Sequence, residues 1–197
     1  RLFDVLGPVM IGPSSSHTAG AAKIGYTAQK LLGEVPARAD IGLYGSFATT
    51  GKGHGTDRAL VAGLLGLRPD DPRLPDSFAL AAQRGMQFSI HPVELRSAHP
   101  NTAVLTLTSR TGRQLSLKAA SVGGGRIRVT EIDGVPADFG GGSNTLILHN
   151  EDFEFILLIF CILHFNFFGL QPEADGGSLA HPALGLDLAA VGLDDGC

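Results

Sequence analysis

From Ala21 onward the apolar side chains Ala21, Ile24, Ala28 and Leu31 recur at spacings of three, four and three, which lines them along one face of an α-helix. Lys23, Thr27 and Lys30 fall on another face, and Gly33 supplies the stop. A short strand is expected in "ADIGLYGSF", residues 39–47, running into the glycine-rich loop "ATTGKGHGTD". Thr56 then caps a second helix through Leu64 and Leu65, ended by Gly66 and Pro69. After the polar connector "RPDDPRLPD", a short helix is predicted from Ser77 to Arg84, stopped by Gly85. The period then changes from helical to two. Leu105 and Leu107 alternate with Thr106 and Thr108, the turn "SRTG" follows, and Leu115, Leu117 and Ala119 alternate with Gln114, Ser116 and Lys118, the pattern of a β-hairpin. "SVGGG" interrupts the chain before a further strand from about Ile127 to Ile132. Early helices and late strands predict an α+β fold, with helices packed on one face of a mostly antiparallel sheet.

Beyond Phe139 the pattern fails. "GGGSN" at 140–144 reads as a linker, and the tail "GGSLAHPALGLDLAAVGLDDGC" has no period. Between them lies the apolar run "FEFILLIFCILHFNFF", residues 153–168. Glu154, His164 and Asn166 interrupt it, and it is shorter than the roughly 20 apolar residues that span a bilayer, so buried structure is expected rather than a membrane segment. The domain reading is therefore 1–139 as a folded domain and 140–197 as a linker with an irregular C-terminal extension. With 44% hydrophobic and 17% charged residues the chain is a folding one, and its net charge of -4 gives no reason to expect nucleic acid. Two cysteines, Cys161 and Cys197, suit a reducing cytoplasm and cannot supply the three or four thiolates of an iron–sulfur cluster. The first residues hold no apolar run long enough for a signal-peptide core, so a cytoplasmic protein is expected.

Chemistry concentrates in two stretches that each lead into a helix. In "GPSSSHTAG", residues 12–20, a plain helix start needs one cap, so the hydroxyls of Ser14, Ser15 and Ser16 exceed structural need. They and the backbone N–H groups sit where a carboxylate or phosphate binds a helix start, and His17 adds proton chemistry. In "GSFATTGKGHGTD", residues 45–57, Gly51, Gly53 and Gly55 let the backbone close on a ligand while Lys52, His54 and Thr56 supply donors. A nucleotide-binding P-loop is a remote reading: five residues separate Gly45 from Gly51-Lys52, and Gly53 stands where the magnesium-binding hydroxyl belongs. "SAHPNT" and "SVGGG" are weaker singly, one an ordinary turn and the other a bulge or an anion-binding nest. His91, His149, His164 and His181 have no metal-ligand spacing.

Taken in order, "GPSSSHTAG", "GSFATTGKGHGTD", "HPNT" and "SVGGG" followed by "EIDG" resemble the beta subunit, or amino-terminal beta domain, of bacterial iron–sulfur-dependent L-serine dehydratase, over roughly residues 3–139. The resemblance implies conversion of L-serine to pyruvate and ammonia in an oligomer with an alpha subunit that carries the 4Fe-4S cluster, none being bound by this chain. It implies a fold similar to the allosteric substrate-binding domain of some phosphoglycerate dehydrogenases. By the same resemblance Ser14, Ser15, Ser16 and Thr18 bind the substrate carboxylate and amino group, and Lys52 and Thr56 complete the pocket. His17 or His54 transfers the proton of an α,β-elimination. "NTLILHNEDFEF" opens like the first strand of an ACT-type regulatory domain, but the expected Asp-, Arg-, Pro- and Gly-rich turn is missing. The alternative from another class is a non-catalytic regulatory module that holds a small anion, a hydroxy acid or phosphate.

Overall fold

The computed structural model describes residues 9–140 and, as backbone, two strands beyond them. A π-helical turn, Ser15–Gly20, runs unbroken into α1, Ala21–Leu32, which ends on a left-handed Gly33 as its spacing predicts. β1 (Arg38–Leu43) is followed by α2 (Ser46–Thr49) and α3 (Thr56–Leu64). A 3-10 turn at Leu74–Asp76 leads into α4 (Ser77–Gln83). Five strands follow: β2 (Gln87–Pro92), β3 (Thr102–Thr108), β4 (Gln114–Gly123), β5 (Arg126–Ile132) and β6 (Val135–Phe139). They join β1 in a six-stranded sheet of order β2-β1-β3-β4-β5-β6. Every neighbouring pair is antiparallel except β1 with β2, and that parallel pair needs the crossover that α2, α3 and α4 provide. The fold is α+β.

Strand alternation sets the layers. Ala39, Ile41, Ala103, Leu105, Leu107, Leu117 and Ala119 are fully buried, and they join Ile24, Ala28, Leu60 and Leu64 of α1 and α3 in one core. Their alternates, Asp40, Thr106 and Arg128 among them, are exposed, so the opposite face of the sheet meets solvent, as antiparallel sheets permit. The two long helices cross on glycines. A Cβ on Gly63 would stand 2.1 Å from the Ala22 carbonyl oxygen, and one on Gly25 would stand 2.2 Å from that of Leu60. This backbone contact brings the starts of α1 and α3, and the two motif loops that precede them, side by side.

Several elements differ from the sequence reading. The strand expected over 39–47 stops at Leu43, because Gly45 adopts φ 58° and ψ −123° and turns the chain into α2. Thr56 is not a cap: left-handed Gly55 precedes α3, and Thr56 is its first residue. "SVGGG" does not interrupt the sheet before β5. β4 continues through Gly123, and Gly124 and Gly125, at φ 60° and 70°, make the turn. The strands β2 and β6 have no counterpart in the sequence reading. β7 (Asn144–Asn150) and β8 (Phe153–Phe160) pair antiparallel in a separate two-stranded sheet, so the extension opens with a hairpin. The rest of the apolar run, the tail, both cysteines and most of the proposed linker lie outside the described residues.

Candidate functional site

Ser14 caps the first motif. Its hydroxyl accepts the His17 N–H at 3.0 Å, and its carbonyl accepts from Thr18 and Ala19 at 2.9 and 3.3 Å. The Ser15 and Ser16 N–H groups precede the first helical hydrogen bond and remain at the positive end of the helix. Both residues are half-buried, as is His17.

The second motif holds His17 from the other side. Gly45 passes so close to Pro100 that a Cβ there would lie 2.7 Å from the Pro100 oxygen, and the turn it makes presents Ser46 and Thr50 one helical turn apart. His17 Nε2 lies 3.0 Å from Ser46 Oγ and 3.2 Å from Thr50 Oγ1, and the two hydroxyls are 3.1 Å apart. Thr50 donates its proton to the Ser46 carbonyl at 2.9 Å, which leaves the Ser46 hydroxyl free to donate to Nε2. The His17 ring meets Phe47 edge-on at 5.5 Å and the His54 ring at 5.0 Å. Burial, and then the neighbouring His54, push the His17 imidazole below its usual 6.5, against the opposing pull of Ser46. A neutral, partly desolvated imidazole results.

Two crossed bonds lock the motifs together. Thr18 Oγ1 donates to the His54 carbonyl at 2.9 Å, and Thr56 Oγ1 donates to the His17 carbonyl at 2.9 Å. Each threonine is buried, and each fixes the histidine of the other loop. The two later motifs form the neighbouring wall. Ser121 N–H donates to the Asn101 carbonyl at 3.0 Å, and the Ser121 hydroxyl lies against Gly20, where a Cβ would clash with it. Ser121 Oγ and Asn101 Oδ1 are buried without a hydrogen-bond partner among the described residues.

The structure therefore brings His17, His54, Thr18 and Thr56 into one network, with Ser14, Ser15 and Ser16 at its edge. Thr18 and Thr56 donate their hydroxyl protons to backbone carbonyls. Lys52 stands exposed at the loop tip beside His54. Ser46 and Thr50 escaped the sequence reading, although both lie in the second motif. The signal was their i, i+4 spacing, legible only once residues 46–49 are known to be helical.

Comparison with known proteins decides the family. The profile of the family described as "Serine dehydratase beta chain" matches residues 2–83. The probable L-serine dehydratase beta chain of Bacillus subtilis is 44% identical over 153 residues, covering 77% of this chain and 69% of that protein. The chain belongs to the serine dehydratase beta chain family. The L-serine dehydratase beta chain of Peptoniphilus asaccharolyticus is 42% identical over 147 residues, 74% of this chain and 66% of that protein. The L-serine dehydratase TdcG of Escherichia coli is 34% identical over 160 residues, which is 35% of its own length, so the beta-chain region forms one part of a longer polypeptide there. Among the described residues of this family member, no three His, Cys, Asp or Glu side chains stand together as a metal-binding set. The described side chains at this site are imidazoles and hydroxyls, whereas iron–sulfur clusters are held by cysteines, and both cysteines of the chain lie outside the described residues. No helix among the described residues is long and apolar enough to cross a membrane.

Proposed function

We propose that this chain is the substrate-gripping half of an L-serine dehydratase, working with an alpha subunit that carries a 4Fe-4S cluster and docks across the mouth between the two motif loops. The observation that supports it most is the crossed threonine pair, which sets two histidines 5.0 Å apart beside the free N–H groups of a helix start. In this reading the L-serine carboxylate sits at the Ser15 and Ser16 N–H groups, with Lys52 closing over it. His54, exposed at the mouth, accepts the α-proton. His17, with Nε2 already engaged, holds the neighbouring surface neutral. As the α C–H bond breaks, its electron pair forms the C=C bond and the Cβ–O bond breaks, the hydroxyl leaving as water with a proton supplied from outside this chain. The 2-aminoacrylate tautomerises to an imine, which adds water and releases ammonia and pyruvate. Departure of the hydroxyl is left to groups outside this chain.

The test is anaerobic reconstitution of the full chain with cluster-loaded alpha subunit, followed by measurement of pyruvate formed from L-serine. Pyruvate is expected from the mixture and not from either chain alone. His54→Ala should lower the rate about 1,000-fold, within the range of a lost acid–base group, with an unchanged circular dichroism spectrum. Near-normal turnover in that variant removes His54 from the mechanism. Serine binding with no turnover under any alpha chain leaves the anion-binding module instead.

A further inference from the structure

We propose that the solvent-facing side of the sheet carries a second site, for a small dianion, that communicates with the candidate substrate site through the His99–Thr102 turn. The chain between β2 and β3 folds back over the outer face of β4 and β5 and borders an open cavity of about 500 Å³, within the range of small-molecule sites. Arg96, His99, Lys118 and Arg128 line it, with Glu131 as the one carboxylate. Lys118 is paired with Glu131, and Arg128 is held fork-on by Asp138 through two bonds of 2.7 Å. Arg96, on the exposed rim, enters no ion pair among the described residues. Three permanent cations thus share two carboxylates, of which only Glu131 lines the cavity. A ligand with two ionised oxygens gains an uncompensated guanidinium and shares the others, the geometry in which arginine recognises phosphate and carboxylate. Ser97, in the same wall, holds a left-handed φ of 55°, a conformation a non-glycine residue keeps only where its surroundings enforce it.

The wall has two sides. His99 faces the cavity, while the next residue, Pro100, abuts Gly45 and accepts the Phe47 N–H at 3.4 Å. Thr102 accepts from Tyr44 N–H at 3.0 Å, and Asn101 accepts from Ser121 N–H at 3.0 Å. A dianion that draws on Arg96 and His99 therefore acts on the turn that seats Gly45, and through it on Ser46 and His17. Affinity at one site must then depend on occupancy of the other by a reciprocal factor.

The experiment is calorimetric and NMR titration of the full chain with inorganic phosphate, and separately with succinate, at ionic strength held constant with chloride. Saturable binding of either dianion at one per chain is expected, and the arm that binds fixes whether the site reads phosphate or dicarboxylate. Arg96→Gln, a change at an exposed side chain, should weaken it at least tenfold, whereas His17→Ala should leave saturable binding in place. Amide shifts should reach Gly45 to Thr50. Absence of saturable binding by both anions overturns the proposal, as does affinity unmoved in both Arg96→Gln and Arg128→Gln, or binding lost in His17→Ala. None of these readouts uses serine turnover, so failure of the dehydratase reading and failure of this site give different results.

Discussion

His17 is the side chain on which most of the site's geometry converges. Two hydroxyls, Ser46 and Thr50, reach one of its ring nitrogens, and both come from a single turn whose direction Gly45 sets. Removing that hold leaves the ring packed but free to swing. Ser46→Ala combined with Thr50→Val should lower kcat/KM for L-serine about tenfold to a hundredfold in the reconstituted enzyme, the scale of a small misplacement, with little change in Tm. Titration should separate two histidines in opposite directions. His17 lies below 6.5 through burial and His54, whereas His91, hydrogen-bonded to Asp40 at 2.9 Å, lies above it. In an NMR pH series the His17 midpoint should fall below that of a free imidazole and the His91 midpoint above it. The sign for stability follows: below 6.5 the unfolded chain binds a proton that native His17 declines, so this group weakens the fold as the solution is acidified. The His91–Asp40 pair is about half exposed on both sides, and solvent screening leaves it little influence on stability. At this scale the two histidine motifs were legible in the sequence because surplus polar groups cluster there. The crossed bonds of Thr18 and Thr56 were not, since nothing in a sequence shows which distant carbonyl a hydroxyl will reach.

Among the elements, α1 and the β3–β4 hairpin could be read from periodicity, because each buries a clean stripe or alternation. β2 was missed for a physical reason. It is an edge strand whose inward residues, Phe88 and Ile90, are only half-buried and whose other residues are exposed, so its apolar signal is weak. β6, at the opposite edge and five residues long, is weaker still. The end of β1 was misplaced because Gly45 looks the same in a sequence whether the chain continues or turns. The α1–α3 crossing gives the clearest prediction at this scale. Alanine favours a helix over glycine by about 1 kcal/mol, yet a methyl group on Gly63 would meet backbone at 2.1 Å, and backbone cannot rotate away as a side chain does. Gly63→Ala should therefore destabilise the fold by about 2 kcal/mol net, lowering Tm by about 6 °C for a chain of this size, as differential scanning calorimetry would show.

For the molecule as a whole, the site is assembled from segments that the sequence keeps far apart. Thr18 and His54 are 36 positions apart, and His17 and Thr56 are 39, yet each pair is joined by one buried bond. Thr18→Val keeps the shape and strands the His54 carbonyl, a loss of about 1–3 kcal/mol, and Thr56→Val does the same to His17. Because both bonds close the same junction, the double variant should lose less stability than the two single losses added, a departure that a double-mutant cycle in urea would measure. The sequence could announce the two loops and their chemistry, but convergence depends on the helix crossing and the sheet that hold them. Reciprocity of that kind ties the loops into one unit: neither histidine can shift without pulling on the threonine of the opposite loop, so a disturbance arriving at one rim of the mouth is handed across to the other.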